Sequence, residues 1–208
     1  MRTHTLETRE SLSPKDALQI LKDGNDRFRQ NLKANRNLLE QVNETREGQW
    51  PFAVVLSCID SRTSAELIFD QGLGDIFSVR IAGNFLNDDI LGSMEFSCAV
   101  AGAKLIVVLG HSQCGAIKGA CDKVELGLLT GMLEKIHPAV DAVSEPADPK
   151  ERSSANGAFV ESVARENVRR AVDGIAKQSD VLREMEEAGT ILIVGGMYNI
   201  SNGTVDFF

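Results

Sequence analysis

The sequence predicts an α/β fold with a mainly parallel β-sheet, flanked by helices and preceded by an N-terminal helical arm. Short β-branched apolar runs, each closed by glycine or polar residues, recur along the chain and are typical of buried strands. Segments with helical spacing separate these runs, and such alternation favours parallel pairing with right-handed crossovers. The 208 residues, 43% of them hydrophobic, are enough for one globular domain with a sizeable core.

The predicted single domain, residues 1–208, begins with a helical arm over residues 1–50. Ser13 is placed to cap the first helix, and Pro14 follows at a position where its missing N–H costs nothing. Residues 31–50 are polar and rich in asparagine, so we expect them to be extended or partly helical. The first helix carries only a thin stripe at helical spacing, formed by Leu18, Leu21, Asn25 and Phe28. These apolar side chains cannot be buried within an isolated helix, and the arm that follows has no core of its own. We therefore expect the arm to pack across a two-fold partner.

The α/β body, residues 51–208, alternates strands with helices. Strands are predicted near residues 52–57, 76–80, 104–109 and 190–195. Helices are predicted near residues 63–70, 89–102, 115–122, 127–142 and 157–188. The proline-containing segment at residues 145–149 indicates a loop, and Gly189 indicates the end of the last helix.

Charge and hydropathy exclude several classes of function. The net charge of −8 and the lack of a basic stripe argue against a nucleic-acid partner. No apolar stretch approaches the roughly 20 residues of a membrane-spanning helix. Residues 1–10 lack the apolar core of a secretory signal. In such a chain, four cysteines favour metal binding or buried thiols over disulfides, so we expect a cytoplasmic protein.

Two of the predicted strands end at candidate metal ligands. Cys58 follows the apolar run at residues 52–56, and His111 and Cys114 follow the run at residues 105–109. The two strand ends are expected to bring these side chains to one edge of the sheet. Two sulfurs and one nitrogen suit Zn²⁺, and three protein ligands leave its fourth position open, which is typical of a catalytic site.

Four segments of the chain together resemble the β-class carbonic anhydrases. CIDSR at residues 58–62 and GHSQCG at residues 110–115 resemble the two zinc motifs of that family in their order and spacing. RIAGN at residues 80–84 resembles a segment between them, and GGMYNISNGTVDF at residues 195–207 resembles the closing hairpin. The resemblance covers residues 14–207. It implies a four-stranded parallel core with one added antiparallel strand, assembled as a homodimer or a dimer of dimers.

The resemblance implies reversible hydration of CO₂ to bicarbonate and a proton by zinc-bound hydroxide, with one Zn²⁺ per chain. Two thiolates cancel the formal charge of the metal, so we expect this zinc to be a weaker Lewis acid than one held by three histidines. In the family, the arginine that Arg62 matches holds beside the metal the aspartate that Asp60 matches. When paired, Asp60 accepts a hydrogen bond from the hydroxide and aims it at CO₂. When unpaired, Asp60 is the fourth zinc ligand and closes the site.

The resemblance also implies a substrate pocket. Gln49 matches a glutamine that hydrogen-bonds a substrate oxygen, and the backbone N–H of Gly115 matches a second oxygen contact. The apolar wall of the pocket corresponds to Phe77, Ala82 and Phe96, of which Ala82 replaces a valine and Phe96 a tyrosine. A dry apolar wall suits CO₂ and disfavours the charged bicarbonate, which is then released.

Val55 bears on the subgroup of the family. Members with a regulatory bicarbonate pocket carry a tryptophan three residues before the first zinc cysteine, where this chain has Val55. Arg80 and Tyr198 are available for parts of such a pocket, but its stacking surface is missing. The plant-like subgroup, in which the zinc site is open, is therefore favoured.

Two other functions stay open at the level of sequence. The same zinc hydroxide attacks CS₂ or COS, so a hydrolase of these small electrophiles fits the motifs as well. The second alternative is a non-enzymatic zinc protein of the same fold. Asp60 and Arg62 argue against it, because a structural zinc site needs a closed fourth position.

The remaining cysteines and histidines are not expected to bind metal. Cys98 and Cys121 do not follow strand ends with partner ligands, so we expect buried and inert thiols. His4 is expected on the surface of a frayed tail and His137 on the surface at a helix end.

Overall fold

A computed structural model describes residues 2–208, so Met1, the first residue of the predicted domain, lies outside the described residues. The strands found within residues 2–208 are β1 (Ala53–Ser57), β2 (Ile76–Arg80), β3 (Leu105–His111), β4 (Leu192–Tyr198) and β5 (Val205–Phe207). They form one sheet in the spatial order β2–β1–β3–β4–β5. β1 to β4 are parallel and β5 pairs antiparallel with β4. The predicted parallel core with an added antiparallel strand is confirmed.

Helices pack on this sheet and precede it. They are α1 (Leu6–Glu10), α2 (Pro14–Arg29), α3 (Leu38–Glu44), α4 (Ala65–Ile68), α5 (Asp88–Glu95), α6 (Gly115–Cys121), α7 (Gly127–Glu134), α8 (His137–Ala142), α9 (Gly157–Gln178) and α10 (Asp180–Glu187). A π-helical turn, Phe96–Val100, continues α5, and a 3₁₀ turn spans Pro149–Glu151. No helix in residues 2–208 has the length and apolar composition that crossing a membrane requires.

Three of the predicted helices are interrupted. The helix predicted near residues 157–188 ends as α9 and restarts as α10, because Ser179 is extended (φ −121°, ψ 108°) and its hydroxyl caps the first turn of α10. The helix predicted near residues 127–142 breaks before α8, where Pro138 has no N–H to continue the hydrogen-bond ladder. The helix predicted near residues 89–102 changes to the π-helical turn after α5.

The segment before α2 is folded, so the prediction of a frayed tail with a surface-exposed His4 is wrong. Thr5 caps α1 by accepting a hydrogen bond from the N–H of Thr8 at 3.2 Å, and the Thr8 hydroxyl accepts one from the N–H of Thr5 at 2.8 Å. The ring of the half-buried His4 packs edge-on against the ring of Phe52, with centroids 5.2 Å apart. The segment around His4 is therefore packed beside the amino end of β1.

The side chains of β1 and β3 alternate between two apolar layers, one on each face of the sheet. One layer lies under α5, α6, α8 and α9 and includes Val54, Leu56, Ile106 and Val108. The other lies under α2 and includes Ala53, Val55, Leu105 and Val107. Both strands are buried along their whole length, which is typical of a parallel sheet covered on two faces.

Helix α2 packs against its own sheet. Ser13 caps its first turn as predicted, and Ala17 and Leu21 are fully buried in the second apolar layer. The approach is close, since a Cβ at Gly24 would lie 1.8 Å from the carbonyl oxygen of Phe69. The expectation that the apolar stripe of this helix packs across a partner is therefore wrong for its buried part.

The strand order reverses at the centre of the sheet. The chain leaves β1 toward β2 on one side and returns to β3 on the other side of β1. The carboxyl ends of β1 and β3 therefore flank a topological switch point, where open α/β sheets bind their ligands. Because Ser57 at the end of β1 aligns with Leu109, β3 extends two residues further, to His111.

Candidate metal centre

The carboxyl ends of β1 and β3 bring three buried metal-ligating side chains together. Cys58 directly follows β1, His111 is the last residue of β3, and Cys114 is the N-cap of α6. Between the last two, Gln113 takes a left-handed backbone conformation (φ 58°) that turns the chain sharply. The ligand atoms of the three side chains lie within 4.8 Å of one another.

The separation of the two sulfurs fits a tetrahedral zinc ion. Cys58 Sγ and Cys114 Sγ are 3.9 Å apart. Two Zn–S bonds of about 2.3 Å at a tetrahedral angle span roughly 3.8 Å. Both sulfurs are therefore already spaced to bind one ion.

The imidazole of His111 is oriented as a metal ligand. A proton on Nδ1 is donated to the carbonyl oxygen of Ser112, 3.0 Å away. This leaves a lone pair on Nε2, which is buried without a hydrogen-bond partner among residues 2–208. A hydrogen bond from the distal nitrogen to a carbonyl is the usual way in which a histidine ligand is held in place. The donor set therefore fits the Zn²⁺ that the sequence predicts.

The surroundings of Cys58 favour the thiolate form of its side chain. The hydrogen bond from the Cys114 thiol lowers the pKa of Cys58, and this effect exceeds the opposing effect of burial. His111 and the backbone N–H of Gly83, which lies 3.4 Å from Cys58 Sγ, lower this pKa further. Because the thiolate is the form that binds a metal, these donors prepare the site for a cation.

Asp60 and Arg62 form a two-point ion pair beside the cluster. Arg62 donates from Nε to Asp60 Oδ1 at 2.9 Å and from Nη2 to Oδ2 at 2.7 Å, and its backbone N–H donates to Oδ1 at 2.9 Å. These hydrogen bonds hold the pKa of Asp60 well below its usual range. Asp60 Oδ2 lies 4.0 Å from Nε2 of His111, so the paired carboxylate faces the metal centre.

Arg80 holds the loop that carries the first cysteine, a role that sequence reasoning missed. It donates from Nε to the carbonyl oxygen of Cys58 at 3.0 Å and from Nη2 to that of Asp60 at 2.7 Å. The Thr63 hydroxyl lies 3.1 Å from the same Cys58 carbonyl oxygen and donates to it. The contact arises because Arg80 ends β2 in register with Ser57 at the end of β1. The RIAGN segment begins at Arg80, but only the strand register shows what its side chain reaches.

Two of the residues expected to contact substrate lie next to the ligands. Ala82 is half-buried and precedes Gly83, whose N–H points at Cys58 Sγ. Gly115 is exposed at the start of α6, directly after Cys114. No heavy atom of residues 2–208 outside its immediate neighbours lies within 4 Å of a Cβ built at Gly115. There is consequently open space where a side chain at this position would project.

The other three expected substrate contacts are not brought to the metal centre of their own chain. Phe77 aligns with Val54 on β1, four residues before Cys58, and four residues of strand span about 13 Å. Phe96 packs edge-on against Phe77 with ring centroids 6.2 Å apart, and both line a groove along the sheet edge at β2. Gln49 is exposed and precedes β1, so it lies toward the opposite end of that strand.

The other cysteines and histidines lie outside the metal cluster. Burial raises the pKa of Cys98 to about 12 and, together with the charge of Asp122, that of Cys121 to about 11, as expected of inert thiols. His137 is half-buried at the first residue of α8 rather than on the surface.

Comparisons with known proteins give a consistent set of similarities. A family model described as "Carbonic anhydrase" matches residues 53–205. A carbonic anhydrase of Mycolicibacterium smegmatis is 35% identical over 201 residues, which cover 93% of each chain. Carbonic anhydrase 2 of Mycobacterium tuberculosis is 34% identical over 202 residues, covering 92% of this chain and 91% of that protein. Among solved structures, a β-carbonic anhydrase of Aspergillus fumigatus aligns with a TM-score of 0.72 at 25% identity, covering 82% of this chain and 81% of that one.

Proposed function

This chain belongs to the β-class carbonic anhydrase family, and we propose that it hydrates CO₂ at the centre formed by Cys58, His111 and Cys114. The proposal is carried by one observation, namely that the cluster lies beside a carboxylate, Asp60, which Arg62 holds through two side-chain hydrogen bonds. A purely structural zinc site would need a closed fourth position instead. Hydrolysis of CS₂ or COS is not favoured, because the similar proteins are carbonic anhydrases by name.

Three side chains hold the metal in this proposal. Cys58 and Cys114 bind as thiolates and His111 binds through Nε2, with one Zn²⁺ per chain. When bound, zinc would supply a nucleophile by lowering the pKa of water, to about 7 in favourable sites.

Asp60 and Arg62 act together in the hydration step. The Asp60 carboxylate accepts a hydrogen bond from the attacking water and so directs its lone pair toward the carbon of CO₂. Arg62 keeps this carboxylate ionised and at a distance from the metal position, since both carboxylate oxygens are engaged. Without that restraint, Asp60 is close enough to move to the fourth position and close it.

The remaining wall of the pocket is supplied by a second copy of the chain in this proposal. Ala82 and the N–H of Gly115 contact substrate from the same subunit as the metal ligands. Gln49, Phe77 and Phe96 contact the site of the partner, since their own ligands lie too far along the sheet. The minimal assembly is then a homodimer with a two-fold axis near β2, and a dimer of dimers is compatible with it.

Individual residues support the subgroup and the compartment in this proposal. Val55 is fully buried in the layer under α2 and offers no aromatic surface for a regulatory bicarbonate. Arg80 is engaged by the carbonyl oxygens of Cys58 and Asp60. We therefore favour the plant-like subgroup with an open site. None of the four cysteines forms a disulfide with another residue from 2 to 208, which suits the reducing cytoplasm.

The proposed function is tested by measuring zinc content and stopped-flow CO₂ hydration on the same samples. Cys58→Ser and His111→Ala should lose both the metal and the activity. Cys121→Ser is the matched control, because it also removes a buried thiol but lies outside the cluster. The proposal is refuted if zinc-loaded wild-type protein does not hydrate CO₂, or if either ligand variant keeps full zinc and full rate.

A further inference from the structure

A cavity of about 180 Å³ lies between α8, α9 and the segment that follows Gly83. Its buried side is formed by an apolar patch that includes the Phe85 ring, Leu86 and Ala171, together with the amide of Asn167, whereas Lys135 and Arg170 lie at its exposed rim. No acidic side chain is among its lining residues, although the chain carries a net charge of −8. The cavity thus combines an apolar patch in its interior with positive charge at its mouth.

The positive charge at the rim is only partly compensated. Nζ of Lys135 lies 5.7 Å from the centroid of the Phe85 ring, and Lys135 forms no ion pair with any residue from 2 to 208. Nε of Arg170 lies 3.3 Å from Glu166, but the same carboxylate also lies 4.0 Å from Arg169. One carboxylate therefore serves two guanidinium groups while Lys135 has none.

The apolar patch and the positive rim together indicate which kind of ligand the cavity would bind. An inorganic anion would use the cations but would gain nothing from the apolar patch, and it would lose hydration on entering. A neutral apolar molecule would use the patch but leave the cations without a partner. A short hydrocarbon chain that ends in a carboxylate uses both, because charge-assisted hydrogen bonds to lysine and arginine then hold its polar end. We propose that this cavity is a binding site for a small organic carboxylate.

The site is connected to the metal centre by two hydrogen bonds. Asn167, which also lines the cavity, is 5% exposed and donates from Nδ2 to the carbonyl oxygen of Gly83 at 2.9 Å. The N–H of the same Gly83 lies 3.4 Å from Sγ of Cys58. A bound carboxylate that moves Asn167 therefore also acts on the backbone of Gly83, which contacts the metal-binding residue Cys58. The proposal does not rest on CO₂ hydration, because binding itself is the observable.

The first experiment uses zinc-loaded wild-type protein, with butyrate as the probe. Isothermal titration calorimetry should show saturable binding. Backbone and side-chain amide NMR signals of Gly83 and Asn167 should shift with the same dissociation constant. Butyramide, which has the same shape without the charge, and inorganic phosphate should each bind at least about tenfold more weakly, a difference of 1.4 kcal/mol or more. Absence of saturable butyrate binding overturns the proposal, and equal binding of phosphate overturns the assignment of an organic carboxylate.

The second experiment tests the location of the site. Lys135→Gln combined with Arg170→Gln removes two exposed cations and should weaken butyrate binding by at least about tenfold. The matched control is Arg46→Gln with Lys15→Gln, which lowers the net charge equally at exposed positions away from the cavity. It should bind as the wild type does. Equal weakening in both double variants would show a general charge effect and would overturn the proposed site.

Discussion

At the scale of single residues, the pair of Asp60 and Arg62 governs whether the metal centre is open. Arg62→Ala should lower the CO₂ hydration rate by about 10- to 100-fold while keeping zinc, because Asp60 is then free to close the fourth position. Asp60→Asn should lower the CO₂ hydration rate by a similar factor, since an amide oxygen is a weaker hydrogen-bond acceptor for the attacking water. The double variant should lose little more than either single variant, because the two residues act as a unit.

The measurement is zinc content and stopped-flow hydration for the three variants across pH. Arg62→Lys serves as the graded control, because lysine keeps the charge but cannot make the two-point contact. Its rate should lie between those of wild type and Arg62→Ala. A near-wild-type rate in zinc-loaded Arg62→Ala or Asp60→Asn would contradict the roles proposed for Asp60 and Arg62. It would not contradict the proposed metal ligands.

Asp70 is a second residue whose replacement should have a large effect, in this case on the free energy of unfolding. It is buried and accepts hydrogen bonds from Arg27 at 2.5 Å, Arg36 at 2.6 Å and the N–H of Ala34 at 2.9 Å. Burial alone would raise its pKa, but these donors lower it below the usual range. A depressed folded-state pKa stabilises the protein above the unfolded value of about 3.9, and this contribution is lost as the pH falls below it.

Asp70→Asn should therefore destabilise the protein by about 3 kcal/mol at neutral pH, and its stability should fall less steeply in acid. Urea unfolding between pH 7 and pH 3 measures both effects. Asp173→Asn is the control, since Asp173 is exposed and its carboxylate forms a surface ion pair with Lys177 at 3.8 Å. Parallel pH profiles for wild type and Asp70→Asn would contradict this assignment.

At the scale of elements, the close approach of α2 to the sheet predicts opposite effects for two glycine substitutions. Gly24→Ala forces a methyl group against the Phe69 carbonyl oxygen and should destabilise the protein by about 1–3 kcal/mol. Gly131→Ala in α7 meets no described heavy atom within 4 Å and should stabilise it by about 0.5–1 kcal/mol. Thermal unfolding of both variants tests this, and a Gly24→Ala variant as stable as the wild type would contradict the packing described for α2.

The elements that sequence predicts well are those whose cause is local. The apolar runs at residues 52–56 and 105–109 define β1 and β3, and the ligands follow from their ends. The break at Ser179 has a tertiary cause, because its hydroxyl also donates to Glu95 at 2.6 Å, a residue on another helix. The contacts of Arg80 likewise depend on the register between β2 and β1. Roles that require such pairing are not visible in the order of residues alone.

At the scale of the whole molecule, the proposed two-fold sharing of the pocket predicts complementation between inactive variants. Cys58→Ser removes a metal ligand, and Phe77→Ala with Phe96→Ala removes the apolar wall. In a mixed dimer, one site combines both defects and the other combines intact ligands with an intact wall. An equimolar mixture of exchanged subunits should recover roughly a quarter of wild-type activity, since half of the dimers are mixed and each then holds one intact site.

Complementation is measured as CO₂ hydration before and after subunit exchange, with the dimer content followed by light scattering. Two copies of the same inactive variant, taken through the same exchange, are the control and should gain nothing. If the mixture gains no activity although mixed dimers form, the wall and the ligands belong to the same subunit. A monomer at micromolar concentration would contradict the assembly altogether.

The placement of the three ligands has a consequence for how long the protein survives in a cell. Cys58 and Cys114 come from chain segments on either side of the switch point, so a bound ion ties the two halves of the sheet together. An ion at 1,000 times its dissociation constant adds about 4.1 kcal/mol to the free energy of unfolding. We expect zinc-starved protein to open more often and to be degraded faster. The cellular abundance of this chain should therefore follow the supply of zinc, independently of any change in its synthesis.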